Sequence, residues 1–138
     1  MIIVWFKRDL RVDDHTALLL ASRRGPILPL YIIEPKLWKQ PDLGHRHYGF
    51  LVDCLNDLRL NLRALGQTLT IKVGDALEVF SSINAKSRIK EIWSHQETWN
   101  GWTYTRDKTI KKWANCNSIN WQEPTHNGVV RNLKSRNG

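Results

Sequence analysis

The sequence predicts an α/β fold, a three-layer sandwich of Rossmann-like type around a five-stranded parallel sheet. Two observations predict it. Short apolar runs alternate with longer stretches of helical period, which is the pattern of βαβ units. The runs are also apolar on nearly every residue instead of every second one, as strands covered by helices on both faces must be.

The strands expected are Ile2–Phe6, Ile27–Ile33, residues 69–73, residues 89–94 and a weaker run over residues 118–121. After the first, the Asp14 carboxylate is placed to accept from the free backbone N–H groups of a helix reaching about Arg24, and Gly25-Pro26 ends that helix. Between positions 46 and 65, Leu51, Cys54, Leu55, Leu58, Leu62 and Leu65 recur at intervals of three and four, which puts them on one stripe of a long helix stopped by Gly66. Gly74 or Asp75 starts a third helix through about Lys86. Asn100-Gly101 precedes a fourth, where Trp102, Arg106, Ile110 and Trp113 fall at helical spacing and the two tryptophans read as core.

Composition sets the frame for function. A chain of 138 residues, 41% hydrophobic and 25% charged, is the size and make-up of one globular domain. No apolar run approaches the ~20 residues of a membrane span. Met1-Ile2-Ile3-Val4 passes directly into a strand with no basic leader or cleavage site, so a cytoplasmic location and no membrane partner are expected. Cys54 and Cys116 have neither metal-ligand spacing nor a disulfide framework around them and read as free thiols. The net charge of +8 would favour nucleic acid, but the charges are dispersed. Only the basic end from Arg131 to Arg136 and the group Lys108, Lys111 and Lys112 look local, and both read as solvated faces.

In an open parallel sheet, ligands bind outside the carboxyl ends of the strands where strand order reverses. That rule selects the loops over residues 7–13, 34–45 and 95–100. Gly-x-Gly-x-x-Gly does not follow the first strand and no Walker Gly-x-x-x-x-Gly-Lys-Ser/Thr occurs, so dehydrogenase-type dinucleotide binding and P-loop phosphoryl transfer are disfavoured. The five histidines show no metal-ligand spacing: His45 and His47 are two apart, and His15, His95 and His126 lie in separate segments, so no metal site is expected. No nucleophile-elbow Gly-x-Ser-x-Gly is present, and no catalytic residue is assigned.

The run Trp5-Phe6-Lys7-Arg8-Asp9-Leu10-Arg11, followed by Asp14-His15 and Ala17-Leu18, resembles the opening of the DNA photolyase and cryptochrome family. Lys7 stands where that family usually has Arg, and His15 where it usually has Asn. The resemblance continues through Tyr31-Ile32-Ile33-Glu34-Pro35, Arg46, Phe50 and Leu55 and, after Trp93, through Glu97 and the pair Arg106-Asp107, with a lengthened gap at Trp99-Asn100-Gly101.

The resemblance implies that residues 1–126 are the family's N-terminal α/β domain and that residues 127–138 start the linker to a helical domain carrying FAD and the DNA pocket. It implies an antenna chromophore in this domain, a folate, deazaflavin or flavin. By position, Lys7, Arg8 and Asp9 would meet polar ring edges or a phosphate, Glu34 and Arg46 would line the second side, and Gln96 and Glu97 would hydrogen-bond the ring. Trp38 and Trp99 are the tryptophans placed to stack on it, whereas Trp5, Trp93 and Trp121 read as packing.

The function expected is light harvesting and scaffolding within a photolyase-like flavoprotein that repairs pyrimidine dimers in DNA, with no repair by this chain alone. A cryptochrome-like photoreceptor and a free-standing nucleotide-binding module are the alternatives. Partners implied are DNA through the full-length protein, the helical domain, and a second copy through the face that domain would cover.

Overall fold

The computed structural model describes residues 1–40, 47–96, 101–124 and 130–131. In chain order the elements are β1 (Ile2–Phe6), α1 (Thr16–Ser22), β2 (Ile27–Ile33), α2 (Pro35–Trp38), α3 (His47–Ala64), β3 (Thr70–Val73), α4 (Ala76–Lys86), β4 (Glu91–Trp93), α5 (Gly101–Cys116), β5 (Asn120–Pro124) and β6 (Val130–Arg131). The sheet runs β3-β2-β1-β4-β5-β6. Its first five strands are parallel, and the two-residue β6 adds an antiparallel edge that the sequence did not announce.

Alternation along each strand divides the core into two layers. On β1, Ile3 and Trp5 face one side and Val4 and Phe6 the other, because successive side chains leave a strand in opposite directions. The Ile3 side continues through Leu30, Ile32, Ile92 and Trp121 and is covered by Val79 and Phe80 of α4 and Ile110 and Ala114 of α5. The Val4 side continues through Tyr31 and Trp93 and is covered by Ala17, Leu18 and Ala21 of α1 and by Leu51, Leu55, Leu58 and Leu62 of α3. Trp5 meets Phe80 edge to face, 5.0 Å between centroids at 81°.

Several boundaries differ from expectation for local reasons. Asp14 does not cap α1: it sits at φ 53, and His15 is the N-cap, its Nδ1 accepting from Leu18 N–H at 3.0 Å. Arg11 holds this turn by donating to the carbonyls of Asp13 and Asp14. Leu65 falls outside the apolar stripe of α3 and is exposed, because the helix closes at Ala64 with Gly66 at φ 82. There Gln67 N–H reaches the Leu62 carbonyl and Gly66 N–H that of Arg63, the paired bonds of a Schellman end.

Residues 118–119 precede β5 instead of opening it, since Ser118 at φ 58 leaves α5, and the strand runs on through Pro124. The loop expected after β2 begins with a short helix, where Pro35 takes the first position and Glu34 the N-cap. β3 is an edge strand with Ile71, Lys72 and Val73 outward, so it is not covered on both faces. Cys54 is a half-buried free thiol whose pKa burial raises, with Asp57 and Asp53 adding. Among the described residues, no helix is long and apolar enough to cross a membrane.

Candidate functional site

Strand order reverses between β1 and β4, which places the switch point at the loops that leave these two strands. Among the described residues, most of the buried polar side chains converge on this edge: Lys7 and Asp9 after β1, His15 at the start of α1, Glu34 after β2, Ser94 and His95 after β4, and Arg106 from α5. Buried charge is stable only when paired and hydrogen-bonded, and here it is organised in two groups.

The first is a ladder of alternating charge. Lys7 Nζ lies 3.2 Å from Asp107 Oδ2, Arg106 Nε donates to Asp107 Oδ1 at 3.0 Å, and Arg106 Nη1 donates to Glu34 Oε1 at 2.7 Å. Both of its cations lie over Trp5, with Lys7 Nζ 4.3 Å and the Arg106 guanidinium 5.0 Å from the indole centroid, so the π-system of a buried ring adds to the pairing. Lys7 contacts a single carboxylate oxygen and an aromatic face, neither of which requires the planar fork of an Arg. The Ser94 hydroxyl accepts from Trp121 Nε1 at 2.8 Å, which satisfies that indole.

The second group is Asp9, His15 and His95. His95 Nδ1 is 2.8 Å and His15 Nε2 2.6 Å from the same oxygen, Asp9 Oδ2, and the two rings lie 4.4 Å apart. The His95 contact is a hydrogen bond, whereas His15 Nε2 is a close contact without hydrogen-bond alignment. The far nitrogen of each ring accepts a backbone N–H from the first turn of α1: His15 Nδ1 from Leu18 at 3.0 Å, and His95 Nε2 from Ala17 at 3.1 Å. Each ring is therefore neutral with its proton on the nitrogen facing Asp9, so His15 and His95 are opposite tautomers. Asp9 Oδ1 accepts from Lys7 N–H at 2.9 Å. Burial by itself raises the Asp9 pKa, but the contacts from His15 and His95 and the Lys7 N–H outweigh it and hold the carboxyl well below the usual carboxylate range.

Two histidines and an aspartate with ligand atoms within 4.8 Å form a set of the kind that binds zinc. The hydrogen bonds oppose that use. A metal-bound imidazole donates its outer N–H, whereas both outer nitrogens here accept one, so an ion would have to displace the helix-capping bonds.

Of the candidate ligand residues, Lys7, Asp9 and Glu34 are thus gathered at one edge but buried in contacts within the chain. Arg8 and Gln96 lie at the same edge and are exposed. Arg46, Glu97 and Trp99 lie outside the described residues, as do His45, His126 and residues 132–138. Trp38 packs against the Val4 side of the core. Four residues at the site were not selected from sequence: His15, His95, Arg106 and Asp107. The signals for them were the selected loop that opens on His95, the resemblance that ran through His15 and Arg106-Asp107, and a charge, Arg106, on the otherwise apolar stripe Trp102, Ile110 and Trp113.

A parallel sheet of order β3-β2-β1-β4-β5 with a polar switch point defines a Rossmann-like α/β domain, though one whose first loop is braced by side chains in place of glycines. The chain belongs to the DNA photolyase family, whose model matches residues 2–135. It is 38% identical over 103 residues to a chloroplastic/mitochondrial cryptochrome DASH of Arabidopsis thaliana, an alignment covering 70% of this chain and 18% of that protein. Among solved structures it is similar to a bacterial class III photolyase from Agrobacterium tumefaciens, with a TM-score of 0.79 and 26% identity over 90% of this chain and 25% of that one. An archaeal photolyase from Sulfolobus tokodaii, solved with two FAD molecules, gives a TM-score of 0.76 and 27% identity over 88% of this chain and 28% of that one. The chain therefore spans less than a third of the length of these relatives.

Proposed function

We propose that this chain is the light-harvesting and scaffold domain of a photolyase-like flavoprotein, with residues 1–126 as the domain and 127–138 opening the linker to a FAD-binding helical domain. The observation that carries the reading is the buried ladder Lys7-Asp107-Arg106-Glu34, which builds a rigid polar floor at the switch point where such a fold takes its ligand. A folate, deazaflavin or flavin ring is the chromophore class for that floor, and a light-harvesting cofactor is named for the Sulfolobus tokodaii relative. For the whole protein, the reading is light-driven electron transfer from reduced FAD to a pyrimidine dimer flipped out of DNA. The chemistry would lie in the helical domain, so this chain alone is inactive in repair.

The cryptochrome similarity favours a second reading, a blue-light photoreceptor that signals instead of repairing. The compartment proposed is the cytoplasm, against the organelles named for the Arabidopsis relative, and fractionation of the native protein decides between them. A second copy of the chain is a further partner, through the face that the helical domain would cover.

The test is incubation of the chain with FMN, a deazaflavin and methenyltetrahydrofolate separately, followed by gel filtration with absorption detection. One chromophore co-eluting with the protein is the expected result. Retention of none would remove the light-harvesting role and leave a scaffold.

A further inference from the structure

We infer that the Asp9–His95 hydrogen bond is the positioning device of the switch-point site: it sets the spacing between Arg8 and Gln96, the exposed neighbours of the two bonded residues. The inference rests on the chromophore reading above. Arg8 immediately precedes Asp9, and Gln96 immediately follows His95, and both are exposed whereas Asp9 and His95 are buried. Each clasp residue thus anchors one solvent-facing neighbour.

The anchoring is rigid on both sides. The Asp9 carboxylate is fixed by Lys7 N–H on one oxygen and by His95 Nδ1 on the other. The His95 ring is fixed at its far nitrogen by Ala17 N–H, so it cannot rotate without uncapping α1. His15 supports the arrangement from the same helix end, packed 4.8 Å from Phe6 and 4.4 Å from His95. The loops after β1 and β4 are therefore held at one separation before any ligand arrives, and preorganisation of this kind strengthens binding by removing the cost of ordering the walls. His95 and Asp9 act through Arg8 and Gln96 and are positioning residues.

Gln reproduces both roles of this imidazole, since its amide nitrogen can donate to Asp9 while its oxygen accepts from Ala17 N–H. Leu reproduces neither. Titration of wild type, His95→Leu and His95→Gln with the retained chromophore among FMN, a deazaflavin and methenyltetrahydrofolate should show about tenfold weaker binding and a displaced absorption band for His95→Leu, the loss expected for one hydrogen-bonded clasp. His95→Gln should recover most of the affinity and the wild-type band. If His95→Leu does not fold by circular dichroism, Asp9→Ala, which removes the acceptor altogether, replaces it, with the same weakening and band shift expected. Wild-type affinity and band position in the folded His95→Leu or Asp9→Ala variant would overturn the positioning role while leaving the chromophore reading intact. No retention by wild type would overturn both.

Discussion

Asp9 Oδ2 accepts from His95 Nδ1 at 2.8 Å although the two residues stand 86 positions apart, so one buried bond joins the loops of the two central strands. Because the same carboxylate meets His15, it links β1, α1 and β4 at the edge where the sheet would take a ligand. Acid should weaken this joint. Asp9 binds its proton in the folded chain only well below the usual carboxylate range, whereas an unfolded chain binds it near 3.8. The stability it contributes is complete above that value and is lost as pH falls toward the folded one. Urea unfolding of wild type and Asp9→Asn should give a constant difference in stability from pH 7 to about 5, narrowing below about pH 4. A difference that stays constant into that acid range would contradict the ionised, doubly contacted carboxylate.

Glu34 and Arg106 form a buried pair at 2.7 Å. Removing one partner leaves the other charge buried without compensation, at a cost of about 3–5 kcal/mol, whereas apolar replacement of both is far milder. Chemical denaturation should therefore find Glu34→Leu and Arg106→Met each strongly destabilising and the double variant much less so than their sum. Strict additivity would count against the pair.

His15 caps α1 through Nδ1, a role that Asn also fills. His15→Ala should cost about 1 kcal/mol or more, and His15→Asn should recover part of that loss. Equal losses in the two variants, measured by urea unfolding, would show that the cap is not what His15 supplies.

Gly66 has φ 82, and a Cβ there would meet no atom within 4 Å. The cost of Gly66→Ala is then a backbone cost alone, about 1 kcal/mol, because an L-residue is strained in that region. A thermal shift well beyond that expected for such a cost would reveal packing at the helix end that the geometry does not show.

The central strands were legible because helices cover both of their faces, so burial wrote apolar residues at every position of Ile2–Phe6 and Ile27–Ile33. The stripe Leu51, Leu55, Leu58 and Leu62 was legible for the equivalent helical reason. The edges were less so. β5 ends in Gln122, Glu123 and Pro124, which carry no apolar pattern, and the α1 cap passed from Asp14 to a histidine whose lone pair does the work of a carboxylate. At the site, the loops could be chosen from topology, and Lys7, Asp9 and Glu34 do meet there. Their partners could not be chosen, because His15, His95 and Arg106 become neighbours of the β1 and β2 ends only through the order in which the strands pair. Of the three separated histidine segments that argued against a cluster, two touch: His15 and His95, joined by an aspartate.

In the proposed function a chromophore seats between the loops after β1 and β4. Amide NMR of the isotope-labelled chain during titration with FMN, a deazaflavin and methenyltetrahydrofolate tests it most directly. One of them should shift the amides of Arg8, Asp9, His95 and Gln96 first and most, with the outer face of α3 unmoved. Shifts confined to α3 or the β3 edge, or no shift with any of the three, would contradict it.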